Sequence, residues 1–147
     1  MNIKRESEMK NVARAEKLAQ LYKKANGLNE ELPKELMDKL SIYGQVLEII
    51  GGLHAESVKA WKLAEAKRRE TIASAIVYGA ELDGVAYKTA KEKEAAAEVI
   101  GAEARRNEAL AEAEAQRWRN AMIAVQETIQ ILKKKYEHMK EVAKGGI

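Results

Sequence analysis

The stretch Trp118–Ala143, WRNAMIAVQETIQILKKKYEHMKEVA, decides the fold class of this chain. Its large apolar side chains recur at alternating steps of four and three residues, the spacing of a helix that packs along one seam. The members of this seam are Trp118, Met122, Val125, Ile129, Leu132, Tyr136, Met139 and Ala143. The spacing predicts a long helix whose apolar seam must be covered by another helix.

The composition of the whole chain supports an all-α fold. Of its 147 residues, 46% are hydrophobic and 33% are charged, but only 5% are aromatic and only one is proline. Such a composition is typical of long helices and excludes β-sandwiches, barrels and doubly wound sheets. The chain contains no cysteine, so it has neither disulfides nor a thiol nucleophile.

Helix-ending and helix-starting residues divide the chain into three predicted helices, over residues of about 6–25, 33–78 and 90–143, with a tip at 79–89. Gly27 is expected to end the first helix in a left-handed conformation, and Pro33 suits the first turn of the second. Thr89 and Glu92 have the spacing of a capping box. The alternation of Val12 and Ala15 with later apolar residues predicts a packed face on the first helix.

Glycines mark the remaining irregular positions. Gly51 and Gly52 together cost about 2 kcal/mol of helix propensity, so a kink, a short break or a close helix crossing is expected there. Asp83-Gly84 is a turn dipeptide at the tip. Small residues such as Ala97 and Gly101 continue the seam of the third helix towards its beginning, where they allow two helix backbones to approach closely.

A short tip between two long helices predicts an antiparallel helical hairpin, with the shorter N-terminal helix beside it. Folding about Asp83 places Trp61 near Arg105 and Arg106. A hairpin of this length, about 60 Å at 1.5 Å per residue, exposes much of its seam. We therefore expect a homo-oligomer in which copies of the chain cover the seam.

No pattern in the sequence predicts a catalytic or metal site. His54 and His138 lack the spacing that puts two ligands on one helix face, and both are more readily interpreted as seam or surface residues. No glycine-rich loop is followed by the Lys-Ser/Thr of a nucleotide site. The sequence thus predicts a protein that is not an enzyme and needs no cofactor.

A cluster of basic residues before and after the tip is the strongest functional pattern. On the second and third helices, positive side chains form a stripe that can follow a phosphate backbone, and two tyrosines beside the tip can stack on unpaired bases. These candidate nucleic-acid-binding residues are Lys59, Lys62, Lys67, Arg68, Arg69, Arg105, Arg106, Tyr78 and Tyr87. The alternative is an ordinary solvated face neutralised by Glu65, Glu70 and Glu103, with Tyr78 as a core residue.

The tryptophans and the C-terminal lysines also allow two interpretations. Heptad position favours Trp61 and Trp118 as buried anchors of the core or the oligomer rather than exposed stacking platforms. The same structural role is predicted for Met122, Val125, Ile129, Leu132 and Tyr136. The run 133–135 is either a second basic patch or favourable charge near a helix end, and the latter is favoured.

The order of elements and several local motifs resemble the UvsY family, the recombination mediators of T-even phages, and similar small helical phage proteins. Glu65-Ala66-Lys67-Arg68-Arg69 is similar to that family's acidic-Ala-basic stretch before the tip, and Tyr78 falls where it has an aromatic residue. The likeness covers roughly Leu40 to Lys140. Within it, the family's tryptophan and several positions after it are matched by Trp118, Met122, Ile129, Leu132 and Lys133. Two basic positions of the family are Ala73 and Ala75 here.

The resemblance implies a homo-oligomeric protein that binds single-stranded DNA and, with a single-strand-binding protein, helps to load a recombinase. It also implies a phage or bacterial host cytoplasm, and the N-terminus shows neither a secretory signal nor a membrane segment. The alternative is a structural or inhibitory adaptor coiled coil, which acts through protein contacts without binding DNA.

Overall fold

The computed structural model describes residues 3–79, 81–82 and 85–145, and it is almost entirely helical. The elements in chain order are α1 (Ile3–Asn26), α2 (Pro33–Tyr78), β1 (Glu81–Leu82), β2 (Val85–Ala86), α3 (Ala90–Ile100) and α4 (Ala102–Ala143). The two strands form a two-residue antiparallel pairing, Glu81 with Ala86 and Leu82 with Val85. The predicted all-α class is confirmed. The predicted turn dipeptide, 83–84, lies outside the described residues.

The C-terminal ends of α1 and α2 lie within one residue of their predicted positions, but the conformation predicted at the end of α1 is wrong. Helix α1 ends at Asn26, but the Gly27 N–H donates to two carbonyls of the last turn and its φ is not positive. The expected left-handed conformation at Gly27 is therefore wrong. Positive φ angles occur instead at Gly79 (84°) and Gly145 (81°), which follow α2 and α4. Glycine is favoured at such positions because it has no Cβ to clash with the backbone.

Helix α2 begins at Pro33 and ends at Tyr78, as predicted, but it is unbroken at its glycine pair. A Cβ built on Gly51 would meet nothing within 4 Å, and one on Gly52 would meet only the Arg14 guanidinium, at 3.9 Å. The expected break and the expected close crossing are thus both wrong. The buried side chains of Ile50 and Leu53 flank the pair, and their packing holds the helix together there.

The predicted third helix is divided at Gly101 into α3 and α4. The backbone hydrogen bonds nevertheless continue across the division, since the Gly101 N–H donates to Ala97 O and the Arg105 N–H donates to Gly101 O. The start of α3 is as predicted: both hydrogen bonds of the capping box between Thr89 and Glu92 are present. The prediction of a single uninterrupted helix over 90–143 is therefore wrong, because one residue interrupts it.

The chain forms two compact units, of which unit 1 contains Met1–Leu53 and Arg119–Ile147. Its core consists of bulky aliphatic side chains with two residues of α1: Leu21, Ala25, Leu36, Val46, Ile50, Leu53, Val125 and Leu132. Tyr22 and Tyr43 make an edge-on ring contact at 6.2 Å. Helix α1 buries only its C-terminal part, because Val12 and Ala15 are exposed, contrary to the predicted stripe.

Unit 2 contains His54–Trp118 and has a core of small residues. Ala75, Ala96 and Ala97 form a buried cluster, against which Ile72 and Tyr87 pack. A Cβ built on Gly101 would lie only 2.6 Å from Ile72 Cγ1. The predicted close approach of helices at the small-residue seam is thus confirmed within this unit.

Candidate nucleic-acid interface

Three of the predicted basic residues form a stripe along the exposed side of α2 in unit 2. We call Lys59, Lys62 and Arg69 the basic stripe; all three are exposed. Glu65 lies beneath it and accepts hydrogen bonds from Lys62 Nζ at 3.2 Å and Arg69 Nη2 at 2.7 Å. The hydrogen bond from Lys62 is the main reason that the pKa of Glu65 is lowered. One carboxylate thus offsets part of the stripe, as the alternative interpretation expected for Glu65.

Three cations of the predicted set are exposed and form no ion pair among the described residues. We call Lys59, Lys67 and Arg106 the unpaired cations. Lys88 and Lys91, which were not predicted, are also exposed in unit 2 and form no ion pair among these residues. The charge of the unpaired cations is not offset by a contacting carboxylate, so an approaching phosphate displaces only water and counterions from them. They are the residues of the predicted set that are best able to bind an anion.

The remaining two arginines of the predicted set are engaged within the protein. Arg68 is half-buried, and its Nε donates to Glu108 on α4. Arg105 Nη2 lies 2.8 Å from Glu98 Oε1, and both side chains are about half exposed. Arg68 therefore joins two helices of unit 2, a role that competes with the predicted phosphate contact.

The acidic partners Glu98 and Glu108 were not predicted as such. The expected neutralising residues Glu70 and Glu103 form no ion pair among the described residues. The Arg68–Glu108 pair also shows that a fold centred on Asp83 gives the wrong partners, because it would place Arg68 opposite Val99.

A shallow groove of about 430 Å³ lies between α2 and α4 within unit 2. Lys67 and Thr71 line it from α2, and Glu103 and Asn107 line it from α4. Its apolar lining is Ala64, Ile100 and Ala104. Lys67 can contact one phosphate at this groove, and the Asn107 amide can both donate and accept hydrogen bonds at a base edge. Glu103 disfavours a second phosphate there because of its negative charge.

The two tyrosines of the tip are in different environments. Tyr78, the last residue of α2, is 87% exposed, so the interpretation as a core residue is wrong and its ring is free to stack on a base. Tyr87 is half-buried against the alanine cluster of unit 2. Tyr87 therefore has a packing role within unit 2, and its stacking role stays a prediction.

The two tryptophans, predicted as buried anchors of the core or the oligomer, are only partly covered within one chain. Trp61 and Trp118 are both half-buried, and each has a cation over its ring: Lys62 Nζ at 4.5 Å and the Arg117 guanidinium at 4.8 Å. Trp118 Nε1 also donates to Glu114 Oε1 at 2.9 Å. Within unit 2, each half-buried ring thus has a cation over one face.

The seam residues of unit 1 lie on its inner side. Val125 and Leu132 are buried, and the other members, Met122, Ile129 and Tyr136, are half-buried. This placement agrees with a structural role within one chain. Contact of these residues with other copies of the chain stays a prediction.

The basic run 133–135 is partly neutralised in unit 1. Lys135 Nζ lies 2.8 Å from Glu31 Oε1 and 3.4 Å from Glu30 Oε2, and the hydrogen bond with Glu31 is the main reason that its pKa is raised. The pKa of Glu30 is lowered, chiefly by its hydrogen bond from Lys39 at 2.8 Å. Lys135 thus helps to hold the 28–32 connection against α4 and is not an unpaired cation.

The histidines do not form a site. His54 is half-buried and His138 is exposed. Within residues 3–79, 81–82 and 85–145, no group of three His, Asp or Glu side chains is arranged to hold a metal ion. In the same part of the chain, no helix has an apolar stretch long enough to cross a membrane.

Comparison with known proteins gives no match: no family model, no curated protein and no solved structure is similar to this chain.

Proposed function

We propose that this protein is a non-enzymatic recombination accessory protein that binds single-stranded DNA as a homo-oligomer of helical hairpins. The observation that carries the proposal is that three predicted cations of unit 2, Lys59, Lys67 and Arg106, are exposed and unpaired among the described residues. The proposal takes its biological setting from the resemblance to the phage recombination mediators. In that setting, the protein assists a recombinase on strands covered by a single-strand-binding protein.

The chemistry of unit 2 suits a single strand better than a duplex. The unpaired cations supply a term that depends on phosphates and salt and not on base sequence. The exposed ring of Tyr78 supplies a stacking surface that requires an unpaired base. Each subunit binds weakly through so few groups, and an oligomer multiplies them into a high effective concentration.

The test compares two triple variants by fluorescence anisotropy of a labelled single strand, at about 50 and 200 mM salt. The first, Lys59→Ala/Lys67→Ala/Arg106→Ala, removes the unpaired cations of unit 2. The second, Lys34→Ala/Lys133→Ala/Lys134→Ala, removes the same charge from exposed positions of unit 1. A duplex of equal length is titrated beside the single strand.

The first variant is expected to lose about ten-fold or more in affinity and to lower the salt slope by about 2, because each phosphate contact on a single strand contributes about 0.7. The unit 1 variant is expected to bind almost as the unchanged protein does. Equal losses in both variants would show that only net charge matters. If the protein without substitutions binds neither the single strand nor the duplex, the proposal of DNA binding is wrong.

An adaptor protein without DNA binding is the second candidate, and exposed apolar residues at the end of α2 favour it. Val77 is 73% exposed and its neighbour in the sequence, Tyr78, is 87% exposed, while Val99 on α3 is 61% exposed. Apolar groups exposed at this level on one part of a surface are typical of a protein-binding site. A flat DNA titration, together with a stable complex with a recombination protein that Val77→Asp abolishes, would favour this candidate.

A further inference from the structure

We infer that α1 is a self-complementary interface, through which two copies of this chain associate by antiparallel pairing of their α1 helices. The surface concerned is the α1 outer face, which lines a shallow depression and consists of Arg5, Glu8, Met9, Val12, Ala13 and Glu16. The inference names a contact of the homo-oligomer in the proposed function and rests on that part of it.

The α1 outer face is turned away from the core of its own unit. At 100° per residue, its centre lies on the opposite side of the helix from Leu18, Leu21 and Ala25, which pack inward. Met9 is 72% exposed and Val12 is 59% exposed. Two large apolar side chains at adjacent turns are thus left uncovered in the middle of this face.

The order of side chains on the face identifies its partner as a second copy. A two-fold axis passing between residues 10 and 11 places Met9 opposite Val12 of the second copy, so that the exposed apolar residues cover one another. The same axis places Arg5 opposite Glu16 of the second copy. Each of these contacts occurs twice, as a two-fold interface requires.

Glu8 and Ala13 lie at the two edges of the face, outside the central row. The two-fold axis keeps each edge beside the same edge of the second copy, so the two Glu8 residues share one edge at levels about 7.5 Å apart, at 1.5 Å per residue. Arg5 and Glu16 form no ion pair among the described residues of their own chain, so both are available to a partner. Parallel pairing would instead put Arg5 against Arg5 and Glu16 against Glu16. The charges therefore select the antiparallel direction.

Charge reversal tests this arrangement, with molar mass measured by sedimentation velocity at low salt. Arg5→Glu and Glu16→Arg are each expected to reduce the mass to half or less, because each puts like charges in contact at two places. The double variant Arg5→Glu/Glu16→Arg is expected to recover the mass, since its ion pairs form again with reversed sign. An equimolar mixture of the two single variants is expected to recover it as well.

Lys4→Glu is the matched control, because it makes the same charge change one residue away but off the α1 outer face. It is expected to leave the mass unchanged. All substituted side chains are exposed, and circular dichroism verifies that each variant keeps its helices.

An oligomer that withstands Arg5→Glu, or a double variant that fails to recover, would overturn the inference and leave the proposed DNA binding intact. DNA affinity and mass are measured on these samples and on the triple variant of unit 2, so that the inference and the proposed DNA binding are tested separately. Loss of DNA binding in the triple variant, with the mass unchanged, bears on the proposed function and not on the α1 interface. If the protein without substitutions is monomeric at every concentration, both the α1 interface and the proposed homo-oligomer are wrong.

Discussion

The two units share one heptad spacing but fill it with side chains of different size. Unit 1 buries leucine, isoleucine and valine, such as Leu36 and Val46, which are 0% exposed. Unit 2 buries mainly alanine and brings Gly101 against Ile72. Burial of a large aliphatic side chain contributes about 1.5–3 kcal/mol, several times the contribution of an alanine methyl.

This difference separates two tasks that one pattern of apolar residues can perform. The bulky seam supplies hydrophobic stabilisation to unit 1. The small seam lets the helices of unit 2 approach closely, while longer cations such as Lys67 and Arg106 remain exposed beyond it. Stability is therefore expected to depend most on unit 1, and ligand binding on unit 2.

The largest effect on stability is expected from Leu36→Ala in unit 1. The substitution leaves a cavity at a fully buried position and is expected to lower the free energy of unfolding by about 2–5 kcal/mol. Leu63→Ala in unit 2 is the matched control, because Leu63 is 62% exposed and its loss is expected to cost less than about 0.5 kcal/mol. Urea unfolding measures both; similar costs would contradict the assigned cores.

Gly101→Ala is expected to have the next largest effect, because its Cβ would clash with Ile72 Cγ1 and lie 3.2 Å from the Ala97 carbonyl oxygen. Overpacking of this kind costs about 1–3 kcal/mol. Gly44→Ala is the control: nothing lies within 4 Å of its Cβ, so it is expected to stabilise α2 by about 0.5–1 kcal/mol.

A double-mutant cycle with Ile72→Ala identifies the contact responsible. In that background Gly101→Ala is expected to cost clearly less, since the clashing atoms are gone. An unchanged cost would show that the close approach at Gly101 does not limit the packing of unit 2.

The sequence predicted helix ends well where a single residue determines them. Pro33 and Gly79 bound α2 as expected, and Thr89 with Glu92 starts α3. These features depend only on backbone geometry and hydrogen bonds within a few residues. The one-residue interruption at Gly101 was not predicted. The close approach of Ile72 to Gly101 was not predicted either, because the two residues are distant in the sequence.

The candidate site was predicted as a set of residue types but not in its pairings. Arg68 and Lys67 are adjacent in the sequence, yet one pairs with Glu108 and the other is unpaired. The difference depends on which face of α2 meets α4 and on the offset between the two helices. Residue spacing alone could not supply that offset.

A smaller effect is expected from Thr89→Ala at the start of α3. The substitution removes the hydrogen bond that the Thr89 side chain accepts from the Glu92 N–H, which costs about 1 kcal/mol. Thr128→Ala is the control, because the Thr128 hydroxyl donates to Ala124 O within a helix and caps nothing. Amide exchange in α3 is expected to quicken only in the first variant; equal effects would contradict the capping role.

The smallest effect concerns the pH dependence of unit 1. Because the pKa of Glu30 is lowered from 4.5, its ion pairs stabilise the protein above about pH 4.5, and this contribution disappears as the pH falls through the lowered pKa. Lys39→Met is expected to return the pKa of Glu30 towards 4.5, and Lys34→Met is expected to leave it unchanged. Carbon-13 NMR titration of Glu30 measures both, and an equal pKa in all three proteins would contradict the role of Lys39.

Unit 2 is expected to bind single-stranded DNA, and unit 1 is not. The most direct measurement is amide-resolved NMR during titration with an unlabelled thymidine oligonucleotide. We expect salt-sensitive shifts centred on Lys59, Lys67, Tyr78 and Arg106, with the core of unit 1 unchanged. Shifts centred on residues 123–142 of unit 1, or no shifts at low salt, would contradict the assignment of DNA binding to unit 2.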